Sequence, residues 1–130
     1  MSASTEETPL LAESPVILIA EDEEAIALTL SYIVEDLGYL PLIAAQGQEA
    51  LELACSRHPV LIITDLMMPR MSGRELIAAL RQGATDAPRT PIILTTAAGA
   101  AYISDIDADA VLPKPFDIAT VEALLQRFLG

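Results

Sequence analysis

Five polar side chains stand at or just behind the ends of short apolar runs. Glu21 and Asp22 follow Val16-Ile17-Leu18-Ile19-Ala20, Asp65 follows Val60-Leu61-Ile62-Ile63-Thr64, Thr96 closes the run from Pro91, and Lys114 lies just after Ala110-Val111-Leu112. Short β-branched runs without polar interruption read as strands buried on both faces, the habit of a parallel sheet covered by helices. In such sheets the carboxyl ends of the strands share one edge, and ligands and chemistry are placed there. Three carboxylates, a hydroxyl and an ammonium are therefore expected to converge although they are scattered along the chain.

Three carboxylates brought close cannot all stay ionised without a compensating cation. A hard divalent ion with oxygen ligands, most naturally Mg²⁺, removes the conflict. The same ion would bridge an incoming phosphoryl oxygen and neutralise charge during transfer. Lys114 would pair with the remaining phosphoryl oxygens as a point charge. Asp65 would then be the nucleophile that becomes an acyl phosphate.

The scaffold around these groups follows from the pattern along the chain. Residues 1 to 14 are polar, acidic and aperiodic and are expected to form a flexible tail. Val16–Ala20 reads as the first strand, and Glu23 to Leu37 as a helix with Ile26, Leu30, Ile33, Val34 and Leu37 at helical spacing, stopped by Gly38. Leu40–Ala44 is a strand whose Pro41 suits an edge. A second helix over Gly47–Arg57 turns Ala50, Leu51 and Ala54 inward, and the central strand is predicted at Val60 to Thr64. Ser72 and Glu75 form a capping box for a third helix running to Gln82, followed by a polar turn over Gly83 to Thr90.

Ile92–Thr96 is the fourth strand. The next stretch lacks an apolar stripe and allows only a short, weakly specified helix around Ala100 to Ser104. Ala110 to Leu112 is a last strand, and Asp117 caps a final helix with Val121, Leu124, Leu125 and Phe128 inward. Alternating strands and helices imply a parallel sheet with right-handed crossovers.

Composition narrows the function classes. At 130 residues and 52% apolar content the chain is one domain with a buried core. Nineteen acidic against seven basic side chains give a net charge of −12, a surface that repels nucleic acid. No apolar run approaches the roughly 20 residues of a membrane span, and no basic, then apolar, secretory leader opens the chain. The single cysteine, Cys55, has no partner to bridge, which favours a reduced, cytoplasmic compartment.

At these residues the chain resembles a response-regulator receiver domain of the two-component type, of which the chemotaxis response regulators are examples. The resemblance spans residues 15 to 130. Its carriers are Glu21-Asp22, Asp65 in Thr64-Asp65-Leu66-Met67-Met68-Pro69 with Gly73 behind it, Thr96-Ala97, and Lys114 in Pro113-Lys114-Pro115-Phe116. It implies a flavodoxin-like (βα)5 doubly wound parallel sheet of strand order 2-1-3-4-5. It further implies phosphorylation of Asp65 by a histidine kinase or histidine phosphotransfer protein, with Mg²⁺ bound by Glu21, Asp22, Asp65 and the backbone carbonyl of Met67. Thr96 would hydrogen-bond the new phosphoryl oxygens, and Lys114 would move with it. A cis bond between Lys114 and Pro115 is implied as well.

The same resemblance implies output through a protein partner at the face of the fourth predicted helix, last strand and last helix, from a monomer or weak homodimer. No output module follows Gly130 in the given chain, so a separate partner, or segments not given, would carry the signal onward. Two positions depart from the family's habit. Val111 stands where an aromatic switch residue is common, and neither Met67 nor Ala98 can orient an attacking water by hydrogen bonding. Slow self-dephosphorylation is the expectation.

The same residues admit two other readings. A degenerate receiver would act as an interaction module without phosphate, which Val111 favours and the intact acidic, hydroxyl and amino groups oppose. An aspartyl-nucleophile phosphatase would need a second acid where Met67 stands. Cys55 is expected to pack within its helix, the methionines at 67, 68 and 71 to cover the loop after Asp65, and His58 to be exposed punctuation. Tyr102 is either surface filler or part of a partner face.

Overall fold

The computed structural model describes residues 14–82 and 89–130. Nearly all of the expected tail, and residues 83–88 of the expected polar turn, lie outside the described residues. Among the described residues the elements are β1 (Val16–Ala20), α1 (Glu24–Asp36), β2 (Leu40–Ala44), α2 (Gly47–Arg57), β3 (Leu61–Asp65) and α3 (Gly73–Gln82). They continue with β4 (Ile92–Thr96), a 3₁₀ turn (Ala100–Tyr102), β5 (Ala110–Pro113) and α4 (Ile118–Leu129). The strands form one sheet in the order β2-β1-β3-β4-β5, and every pairing is parallel. This is the flavodoxin-like arrangement.

Side chains alternate across each strand, so each strand feeds two cores. Ile17, Ile19, Leu61, Ile63 and Ile93 pack with Leu30 and Val34 of α1 and with Val121 and Leu125 of α4. Leu18, Ala20, Ile62, Ile92 and Leu94 pack on the opposite face with Ala50 of α2 and with Leu76 and Ile77 of α3. Burying each Val, Leu or Ile among them contributes on the order of 2 kcal/mol. With both faces covered, the strand ends are left as the place where polar groups can gather.

Local chemistry sets the element ends. Gly38, at φ 91°, lets α1 close in a Schellman arrangement: its N–H donates to Glu35 O at 2.9 Å and the Tyr39 N–H to Val34 O at 3.1 Å. Ser72 Oγ accepts the Glu75 N–H at 3.2 Å, while Glu75 Oε1 accepts the Ser72 N–H at 2.9 Å. That is the capping box expected before α3. The Asp117 carboxylate accepts the Thr120 N–H at 2.7 Å and starts α4.

Some expectations are corrected. β3 lies one residue later than predicted, because Asp65 pairs with Thr95 of β4. The fourth helix shrinks to the 3₁₀ turn at Ala100–Tyr102, since only Ile103 nearby is buried and no stripe supports further turns. Cys55 is exposed rather than packed. Met67 is 69% exposed, whereas Met68 and Met71 do pack against the core.

Candidate functional site

The carboxyl rim of the sheet assembles the predicted polar groups. Glu21 leaves β1 with its N–H donated to Ala44 O of β2 at 2.9 Å, which turns its side chain under the rim at 2% exposure. Asp65 ends β3 and is buried, while Asp22 is exposed. Carboxylate oxygens of Glu21, Asp22 and Asp65 all lie within 4.8 Å of one another. The Lys114 N–H donates to Thr96 O at 2.9 Å, so the β4–β5 pairing carries the lysine onto this rim. Its Nζ then stands 3.2 Å from Glu21 Oε1 and 3.3 Å from Asp65 Oδ1. The Lys114–Pro115 bond is cis.

Two glycines shape the loop behind Asp65. A Cβ on Gly73 would lie 2.2 Å from the Asp65 carbonyl oxygen, and one on Gly47 would lie 2.3 Å from the Met71 carbonyl oxygen. No side chain fits at either place, so the start of α3 and the start of α2 press directly on the loop from Asp65 to Ser72.

The electrostatics follow from burial and proximity. Burial pushes the Glu21 carboxyl up to about 7, and neighbouring Asp65 adds to the rise, against the pull of the Glu23 N–H and Lys114. The Lys114 ammonium loses hydration by burial, but Asp65 and Glu21 outweigh that loss and raise its pKa. One ammonium facing three carboxylates leaves acidic oxygen donors in excess. A donor set of this kind fits a hard divalent cation.

A cleft of about 350 Å³ opens over the cluster, lined by Asp22, Asp65, Met67, Thr96, Lys114 and Tyr102 among others. Thr96 Oγ1 accepts the Ala98 N–H at 2.9 Å. The position of the usual aromatic, Val111, is 41% exposed. Two neighbours escaped the sequence reading. Glu23 Oε1 stands 3.9 Å from Lys114 Nζ, and its place in the acidic run Glu21 to Glu24 is the signal that could have found it. Tyr102 lines the cleft from a segment without periodicity, where spacing carries no signal.

Comparison with known proteins decides the family. The profile described as "Response regulator receiver domain" matches residues 17–126. The chain belongs to the response regulator receiver family. This receiver is 34% identical over 117 residues to the alkaline phosphatase synthesis transcriptional regulatory protein PhoP of Bacillus subtilis, covering 87% of this chain and 48% of that protein. The receiver spans about half the length of the curated relatives it matches.

Among solved structures, the chemotaxis response regulator CheY4 of Vibrio cholerae aligns at a TM-score of 0.81 and 32% identity, covering 89% of the receiver and 99% of that chain. The receiver domain of the Pseudomonas aeruginosa sensor histidine kinase PA1611 aligns at 0.79 and 26% identity, covering 88% and 97%. That receiver has a magnesium ion coordinated in its active site cleft. Among the described residues no helix is long and apolar enough to cross a membrane.

Proposed function

We propose that this receiver is a phosphoacceptor that takes a phosphoryl group on Asp65 from a histidine kinase or histidine phosphotransfer protein. The observation that carries the reading is Lys114 Nζ lying within 3.3 Å of both Asp65 and Glu21, in a cluster whose acids outnumber their cation. An Asp65 oxygen attacks phosphorus, the bond from phosphorus to the donor imidazole nitrogen breaks, and the imidazole leaves with that electron pair. Glu21, Asp22, Asp65 and the Met67 carbonyl would hold Mg²⁺. The bound ion supplies charge neutralisation for the phosphoryl oxygens. The magnesium in the PA1611 receiver supports that assignment.

Within this reading Lys114 neutralises a phosphoryl oxygen once its carboxylate partner becomes an acyl phosphate. The Thr96 hydroxyl donates to another: its oxygen accepts the Ala98 N–H, which leaves the hydroxyl proton free to do so. The receiver turns over no substrate beyond its own phosphorylation and dephosphorylation, and hydrolysis is slow because Met67 and Ala98 offer an attacking water no hydrogen bond. Output runs to a protein partner through the 3₁₀ turn, β5 and α4 face, from a cytoplasmic monomer or weak homodimer that binds neither nucleic acid nor membrane.

Val111, without a ring or hydroxyl, favours a second reading, in which the domain binds partners and never takes phosphate. One experiment separates the two. Acetyl phosphate or beryllofluoride with Mg²⁺ should modify the wild type and leave Asp65→Asn untouched; a wild type with no adduct would select the second reading. Rapid turnover of many phosphate esters would instead point to an aspartyl phosphatase.

A further inference from the structure

Arg74, on the first turn of α3, reaches across to the β4–β5 connection. Its Nη2 donates to Tyr102 O at 2.8 Å, its Nη1 pairs with Asp105, and its guanidinium carbon stands 5.8 Å from the centroid of the Tyr102 ring. Both ends of this link are tied to the cleft. The Gly73 N–H donates to Leu66 O at 2.8 Å, joining the start of α3 to the residue after Asp65. On the other side Thr96 Oγ1 holds the Ala98 N–H at 2.9 Å, and buried Ile103 pins the end of the 3₁₀ turn.

Tyr102 is 64% exposed yet lines the cleft with Asp65, Thr96 and Lys114. Among the described residues it is the one aromatic side chain there. An acyl phosphate on Asp65 is lost when a water oxygen attacks phosphorus in line. The bond from phosphorus to the Asp65 oxygen breaks, the carboxylate leaves with the electron pair, and inorganic phosphate and a proton are released. That attack needs room for a water at the cleft mouth. Ala98 is too small to fill the space, and Met67 is 69% exposed.

We propose that the Tyr102 ring, held in place by Arg74, covers the phosphoryl group on Asp65 and slows its hydrolysis. Arg74 is a positioning residue, acting through Tyr102. The inference rests on the phosphoacceptor reading of Asp65. Side-chain exposures of 37% for Arg74 and 69% for Asp105 make their ion pair a minor contributor to folding. Removing it changes where the ring sits far more than whether the domain folds.

The test loads the protein with acetyl phosphate and Mg²⁺, removes the donor, and follows loss of the acyl phosphate on phosphate-affinity gels. Tyr102→Ala and Arg74→Gln should each lose the group faster than wild type, by about threefold or more. The double variant should be no faster than Tyr102→Ala, as expected when one residue acts through the other, and Tyr102→Phe should keep the wild-type rate. Unchanged rates in both single variants, or a double variant whose acceleration is the product of the two, would overturn the inference while leaving Asp65 as the acceptor. A Tyr102→Phe protein as fast as Tyr102→Ala would overturn the role of the ring. A wild type that never loads overturns the Asp65 reading and this inference with it.

Discussion

The two rims of the sheet handle acidic side chains in opposite ways. At the carboxyl rim, Glu21 and Asp65 are buried around the single ammonium of Lys114, and burial drives the Glu21 carboxyl up to about 7. At the amino rim, where β4 and β5 begin, Asp107 and Asp109 face two guanidinium groups. Arg81 donates to Asp109 Oδ2 at 2.7 Å, to Thr90 O at 2.9 Å and to Asp107 O at 3.2 Å. Arg89 donates to Asp107 Oδ1 at 2.7 Å, and that hydrogen bond holds the Asp107 carboxyl below its usual range. Matched charge makes a joint, whereas under-matched charge leaves a cluster whose excess acid fits a cation.

The sharpest way to break the comparison is Arg81→Ala. Asp109 Oδ2 also accepts the Ile92 N–H at 2.7 Å, so losing a guanidinium that is only 16% exposed would leave the carboxylate at the root of β4 with that N–H and a long 3.5 Å contact to Arg89. A loss of about 3 kcal/mol is expected, read as a lower urea midpoint with an unchanged slope. A variant as stable as wild type would show the amino rim to be ornamental.

Glu21→Gln should move stability the other way. It removes a buried like charge while keeping an oxygen for the Glu23 N–H, held at 3.1 Å by Glu21 Oε2. Without added metal at pH 8, a gain of about 1 kcal/mol is expected, together with weaker Mg²⁺ binding by titration calorimetry. Destabilisation would mean that the carboxyl rim is balanced after all.

The smallest effect separates the rims by pH. The folded-state pKa of Asp107 lies below its ordinary value of 3.8. Its contribution is therefore present above that value and disappears as pH falls through the folded one. Asp107→Asn should flatten the acid limb of a thermal-unfolding curve below about pH 4 and leave the neutral limb alone. An unaltered acid limb would assign the acid sensitivity elsewhere.

Much of the carboxyl rim was readable because its logic is local. An uninterrupted run ending in Asp65, a capping box at Ser72 and Glu75, and a glycine at position 38 each act over a few residues. Parallel topology then brings Glu21, Asp65 and Lys114 together with no further information. The amino rim was not readable, because Arg81 finds partners 26 and 28 residues away, and no periodicity encodes such pairs. The Ala100–Tyr102 turn was half readable: weak patterning allowed a short helix around Ala100 to Ser104 where only a 3₁₀ turn forms, and it gave no sign that Tyr102 would be placed beside the cleft. Asp65 entered β3 one residue beyond the expected boundary because its neighbour Thr95, not its own propensity, sets where the ladder ends.

The close approach at Gly47 carries a consequence for how this surface can vary. Where the Met71 carbonyl rests against a bare α-carbon, a single methyl group would act as a wedge under the loop that begins at Asp65. Position 47 bears no charge and lines no part of the acidic cluster, yet it sets the seat on which the loop after Asp65 is mounted. Shape there is as binding a constraint on this domain as the identity of any acid in the cleft.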